Sequence, residues 1–117
     1  MAEQPESRTR CSKKQLQAVE GPPGIHRTTL AYNPDTMLCH FTMKRGAEIP
    51  LHHHDAVQNG FVISGRVQFL NESGNDFVAE PGSGYVFGPN EPHGAVVLED
   101  AEVIECFAPM RLEYADN

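Results

Sequence analysis

The chain has 117 residues, enough for one domain that buries most of its surface around a single core. Its formal net charge is −7, and no Lys/Arg cluster goes beyond Lys13-Lys14 and Lys44-Arg45, which argues against a nucleic-acid partner. No apolar run approaches the roughly 20 residues that span a bilayer, so no membrane partner is expected. The N-terminus (MAEQPESRTRCSKKQ) is polar throughout and lacks the apolar core of a secretory signal. Cys11, Cys39 and Cys106 are widely spaced and form no C-x-x-C pair. A reducing, cytoplasmic setting fits them, with Cys39 and Cys106 as small apolar strand residues.

Residues 1–20 carry charges, Ser, Thr and Gln with little periodicity, and are expected as a flexible arm. Within it, residues 15–19 could form a short strand or a helical turn. Gly21-Pro22-Pro23-Gly24 then breaks the chain, and residues 21–117 are expected to form the folded domain. A strand is expected over 25–32, ended by the Asn33-Pro34-Asp35 turn. Residues 36–44 alternate apolar and polar (Met37, Cys39, Phe41, Met43), the pattern of a half-buried strand. Strands over 57–63 and 66–70 are expected to pair as a hairpin across Ser64-Gly65, with a further turn at 71–75. Short strands follow at 77–79 and 85–87, separated by Glu80-Pro81-Gly82. After the Gly88-Pro89-Asn90-Glu91-Pro92 turn, 94–99 and 102–107 are expected as a last hairpin over Glu99-Asp100. There are no heptads, no long amphipathic helix and no internal repeat. Short strands punctuated by 10 Gly and 9 Pro read as an all-β jelly-roll barrel.

The chemistry concentrates in GAEIPLHHHDAVQNGFVISG, from Gly46 to Gly65. Successive strand side chains alternate faces, so His52 and His54 point one way and His53 the other. Two converging imidazoles with Gln58 close by suit a divalent metal. A fourth donor is then expected, and His93 in GPNEPHGAV supplies it; it is the only His after position 54. Three His and one Gln bring no negative charge, so a bound dication keeps its full charge. It would act as a strong Lewis acid and anchor an anionic ligand. Neutral imidazoles accept several divalent transition metals, Ni, Zn, Fe, Mn or Co among them. His26 and His40 lack partners in this pattern and read as plain strand residues.

This spacing resembles the frame of the cupin family, G-x5-H-x-H-x3-(E/Q)-x6-G, followed by a later G…P…H segment, here Gly84, Pro89 and His93. The resemblance implies a cupin-type double-stranded β-helix. The C-terminal stretch EVIECFAPMRLEY adds Glu105 and Phe107 on one strand face and Arg111 after an Ala108-Pro109 break. Spacing alone leaves two readings of these three. They could line the mouth of the metal cavity, or Phe107 could be core and Glu105 and Arg111 an ion pair.

More narrowly, residues 24–114 resemble the uronate-ketonising, KdgF-like cupins of pectin and alginate breakdown. The likeness rests on Gly24, Ile25 and Arg27, on Met37, on the H-x-H-x3-Q set, and on Glu105, Phe107, Pro109 and Arg111. It implies His52, His54, Gln58 and His93 as metal ligands and Glu105, Phe107 and Arg111 as the catalytic acid, Phe and Arg. The family acid is usually Asp, so Glu105 is one methylene longer. The implied reaction is an isomerase-type conversion of a cyclic 4,5-unsaturated uronate to its linear 4-deoxy-5-keto form. Two other readings use the same frame: a metal-dependent dioxygenase, lyase or isomerase, and a non-catalytic sensor that binds a small anion. A homodimer is expected in each case, with the arm before Gly21 available to cross to a partner.

Overall fold

The computed structural model describes residues 7–115. Among them are eight strands: β1 (Val19–Glu20), β2 (Ile25–Asn33), β3 (Thr36–Met43), β4 (Glu48–His52), β5 (Val57–Asn71), β6 (Phe77–Ala79), β7 (Gly84–Phe87) and β8 (His93–Ala108). Two single 3₁₀ turns, Lys13–Gln15 and Leu112–Tyr114, are the helical segments among the described residues. No helix there is long and apolar enough to cross a membrane.

All pairings are antiparallel, and they form two walls that share β5 and β8. One wall runs β1-β2-β3, then the C-terminal half of β8, the N-terminal half of β5, and β7. The other runs β4, the N-terminal half of β8, the C-terminal half of β5, and β6. Inward side chains of both walls merge in a single core that includes Met37, Phe41, Val62 and Val103 from one wall and Val67, Phe69, Ala95 and Val97 from the other. This is the all-β jelly-roll barrel expected from the strand pattern.

The two expected hairpins are absent, and each pair of segments is instead one long strand. β5 runs unbroken through Ser64-Gly65, and β8 through Glu99-Asp100. They stay paired on both sides of the bend, from Val57↔Ala108 to Asn71↔His93, with register shifts between Val62 and Val67. Gly65 adopts φ +83°, and a Cβ there would lie 2.2 Å from the Asp100 carbonyl oxygen. A glycine in this conformation makes a bulge that turns the ribbon without ending it. Inward positions switch from even numbers (Gln58, Val62) to odd (Val67, Phe69) across it.

Residues 1–6 of the expected arm lie outside the described residues. From Arg8 onward the chain runs along the barrel: Arg8 and Tyr32 exchange backbone hydrogen bonds of 2.9 Å, and β1 pairs with β2.

Candidate functional site

The site forms where the two ends of the β5–β8 ribbon meet. β4 ends at His52, which pairs across the ladder with His93, the first residue of β8. His53 points outward and is exposed, while His54 turns in. One ring nitrogen from each of His52, His54 and His93 lies within 4.8 Å of the others, a grouping that could hold a metal ion.

Each of these imidazoles is oriented by a backbone carbonyl two residues away. His52 Nδ1 donates to Pro50 O, His54 Nδ1 to Ala56 O and His93 Nδ1 to Glu91 O, each at 2.8 Å. A neutral imidazole that spends its proton on Nδ1 has its lone pair on Nε2, so all three rings are set in the tautomer that ligates through Nε2. Phe87 stacks flat on the His93 ring, with centroids 4.4 Å apart. Glu91 reaches back to accept hydrogen bonds from Gly88 N and Asn71 Nδ2, which fixes the turn carrying His93. The Asn90 amide donates to His54 O at 2.7 Å and ties the same turn to the H-x-H segment. Burial holds the His93 pKa down at about 4. Burial, and then the Arg111 charge, lower that of His54. His93 therefore stays neutral and able to ligate well into mild acid, and the shift of His54 favours its neutral form in the same sense.

Gln58 opens the inner face of β5 and is buried. Its Oε1 lies 3.0 Å from His54 Nε2 and 3.1 Å from His93 Nε2. Its Nε2 donates to Glu105 Oε2 at 2.8 Å, which fixes the direction of the amide. Two ring lone pairs thus face an amide oxygen, three acceptors with no proton between them. A cation among them satisfies all three, so this donor set fits a divalent metal.

Glu105 is buried on β8. Its Oε2 accepts from Gln58 and from Tyr85 Oη at 2.6 Å, and its Oε1 has no hydrogen-bond partner among the described residues. Burial pushes the Glu105 pKa up, while the two hydrogen bonds and the Arg111 charge partly offset it. Glu105 and Arg111 form no ion pair; Arg111 Nη2 instead pairs with Glu113 Oε2 at 3.2 Å. Arg111 Nε is buried without a hydrogen-bond partner among the described residues, a donor left facing inward. The guanidinium lies 4.2 Å from the Tyr114 ring centroid, and Arg27 stacks at 4.2 Å on the same ring. Arg27 and Thr29 both donate to Tyr114 O, at 3.0 and 2.6 Å, and so clamp the C-terminal turn onto β2.

His52, Gln58, His93, Glu105, Phe107, Arg111 and Tyr114 line one cavity. His54 joins through the imidazole cluster, with its ring 6.0 Å from that of Phe107. The seven residues expected as ligands or catalytic groups (His52, His54, Gln58, His93, Glu105, Phe107 and Arg111) therefore reach one place. Tyr85, Arg27 and Tyr114 were not legible as site residues. Tyr85 sits in an ordinary strand pattern, and only the pairing of β7 with β5 brings it to Glu105. His40, read as a plain strand residue, is buried and donates to Glu102 Oε2 at 2.5 Å. His26 lies 3.7 Å from Glu20 Oε1.

Residues 39–107 match the family model described as Cupin domain. The chain is 31% identical over 93 residues to the pectin degradation protein KdgF of Dickeya dadantii, covering 78% of this chain and 84% of that one. The structure of KdgF from Halomonas sp. superposes with a TM-score of 0.81 at 33% identity, over 87% of this chain and 95% of that one. This chain is a cupin of the KdgF type. An RmlC-like cupin from Shewanella frigidimarina gives a TM-score of 0.86 at 24% identity, over 94% and 98% of the two chains. At that identity the likeness speaks for the barrel of this KdgF-type cupin alone.

Proposed function

We propose that this KdgF-type cupin is a metal-dependent enzyme of pectin degradation that converts a 4,5-unsaturated uronate to the linear 4-deoxy-5-keto uronate. The observation that carries this reading is the placement of a buried carboxylate, Glu105, and an unpaired buried guanidinium N–H, on Arg111, beside the three-histidine cluster. An acid, a carboxylate receptor and a cation site in one cavity match what such a substrate requires. The similarity to KdgF proteins supports the same substrate class.

His52, His54, Gln58 and His93 would hold the metal. A dication bound there supplies Lewis-acid polarisation of substrate oxygens. Arg111, which lines the cavity, receives the substrate carboxylate through its guanidinium, and its stack on Tyr114 keeps that group in place. Phe107, buried and lining the cavity, packs against the sugar ring. Glu105 carries the proton at Oε1: the bond from the anomeric carbon to the ring oxygen breaks, the anomeric hydroxyl gives up its proton to leave an aldehyde, the enol-ether carbon C4 gains a proton, and the ring oxygen remains on C5 as the ketone oxygen.

The test mixes purified protein with unsaturated galacturonate monomer and follows the loss of conjugated-alkene absorbance with and without a chelator. Chelator-sensitive loss faster than the spontaneous rearrangement is expected. No acceleration by metal-loaded protein would remove the ketonising reading and leave a cupin that binds, or transforms, another small acid.

The homodimer belongs to the same reading. Exposed Phe61, Ile63 and Val86 share the outer face of β5 and β7, the side away from the cavity, and pairing of two copies there would cover them. Light scattering at twice the monomer mass is the expected result.

A further inference from the structure

β5 lies between β7 and β8, and one rung of the sheet runs across all three. Gly60 pairs with Tyr85 on one side and with Glu105 on the other. Neighbouring strands are about 4.8 Å apart, so Tyr85 and Glu105 stand on backbones separated by roughly 10 Å. Their side chains nevertheless meet, with Tyr85 Oη donating to Glu105 Oε2 at 2.6 Å. They meet because nothing stands on the strand between them. A Cβ on Gly60 would lie 2.4 Å from both Oη and Cζ of Tyr85. The Gly60 backbone is not in the left-handed region, so the need for glycine here is one of space.

We propose that Tyr85, acting through the gap at Gly60, is the positioning residue that aims the Glu105 carboxylate. The inference rests on Glu105 being the proton carrier. Glu105 lines the cavity and Tyr85 does not, so the hydroxyl acts on the carboxylate and not on substrate. Glu has one more rotatable bond than Asp to restrain, and a single donor would leave the carboxylate free to swing about that contact. With Gln58 and Tyr85 both donating to Oε2, the group is pinned from two sides. Oε1, without a partner among the described residues, is then the oxygen presented to substrate. The same two contacts join the amide of Gln58 to the carboxylate, so the aim of Glu105 is set relative to the imidazoles that flank Gln58 Oε1.

The deciding variant is Tyr85→Phe, which removes the hydroxyl and keeps the ring. On unsaturated galacturonate kcat should fall roughly 10- to 100-fold, the scale on which a misplacement near 1 Å acts. KM should stay within about twofold and metal content should not change. In a Glu105→Gln background the same substitution should alter kcat less than about twofold, because the group being aimed is gone. Wild-type kcat in Tyr85→Phe, or an equal fold loss in both backgrounds, would overturn the proposal. Gly60→Ala should lose kcat as Tyr85→Phe does, and full turnover in a folded Gly60→Ala protein would remove the gap from the account. A crystal structure of Tyr85→Phe gives a readout independent of turnover. The Glu105 carboxylate should rotate from its wild-type position or divide between two rotamers; a single unmoved rotamer refutes the positioning role. If the wild type itself fails to turn over the uronate while the carboxylate moves in the variant, the proposed function falls and the positioning role stands.

Discussion

Gln58 is the residue on which the centre turns, because its two ends face opposite requirements. Oε1 faces the imidazoles of His54 and His93, and Nε2 donates to Glu105. A glutamate in its place would offer the metal a negative charge but would set a second carboxylate against Glu105. Gln58→Glu should therefore hold metal longer against a chelator while losing at least ~10-fold in turnover, since two close carboxylates cannot both ionise freely. Chelator-competition half-times and steady-state rates on the same preparation check both halves. At this scale the sequence was informative for the candidate cluster, since the H-x-H-x3-Q spacing puts His52, His54 and Gln58 together with little help from the rest of the chain. It was silent on Tyr85 and Tyr114 and named Arg27 only as part of the family likeness, because their contacts depend on cross-strand neighbours and on a C-terminal turn folded back onto β2. Alternation along one strand carries no information about what stands two strands away.

Among the elements, β5 and β8 define the molecule, and they were also the ones misread as hairpins. Gly65 next to a serine, and Glu99-Asp100, carry turn chemistry, but a chain reversal and a bulge ask for the same residues. What separates them is whether the partner strand bends in step, and here Asp100 and Ala101 close against Gly65. Gly65→Ala combines a positive φ with a contact of 2.2 Å to backbone, so a loss of about 2 kcal/mol or more is expected. In a domain of this size that lowers Tm by roughly 10 °C, measurable by calorimetry. A second test concerns β3 and β8, joined by the His40–Glu102 hydrogen bond. That bond holds the Glu102 pKa below the usual carboxylate range. A folded-state pKa lowered in this way adds stability above the unfolded value, near 4.3, which is lost as pH falls through the folded one. The Tm difference between wild type and Glu102→Gln should therefore be present at pH 6 and shrink steadily toward pH 3. Glu102 is partly exposed, so the difference is small throughout.

For the whole molecule, the barrel closes on its own core, and Met37, Val62, Val67, Val97 and Val103 are all within 1% of full burial. The imidazoles lie outside the apolar core cluster, so the core packs without contributions from them. Removing metal should leave the far-UV circular dichroism unchanged and lower Tm only by the mass-action amount set by affinity and free metal. The barrel was legible because short alternating strands and frequent turn residues leave few other ways to bury one face of each. His93 and Glu105 sit on the same strand, twelve residues apart, and would be about 40 Å apart if it were straight. Both touch Gln58 because the ribbon rolls over on itself at Gly65 and Asp100. Since the full cluster exists only once that roll is complete, a metal held by all four side chains would be captured late in folding. In refolding experiments cobalt absorbance should appear after the strand signal has saturated, making the cation a clock for closure of the barrel.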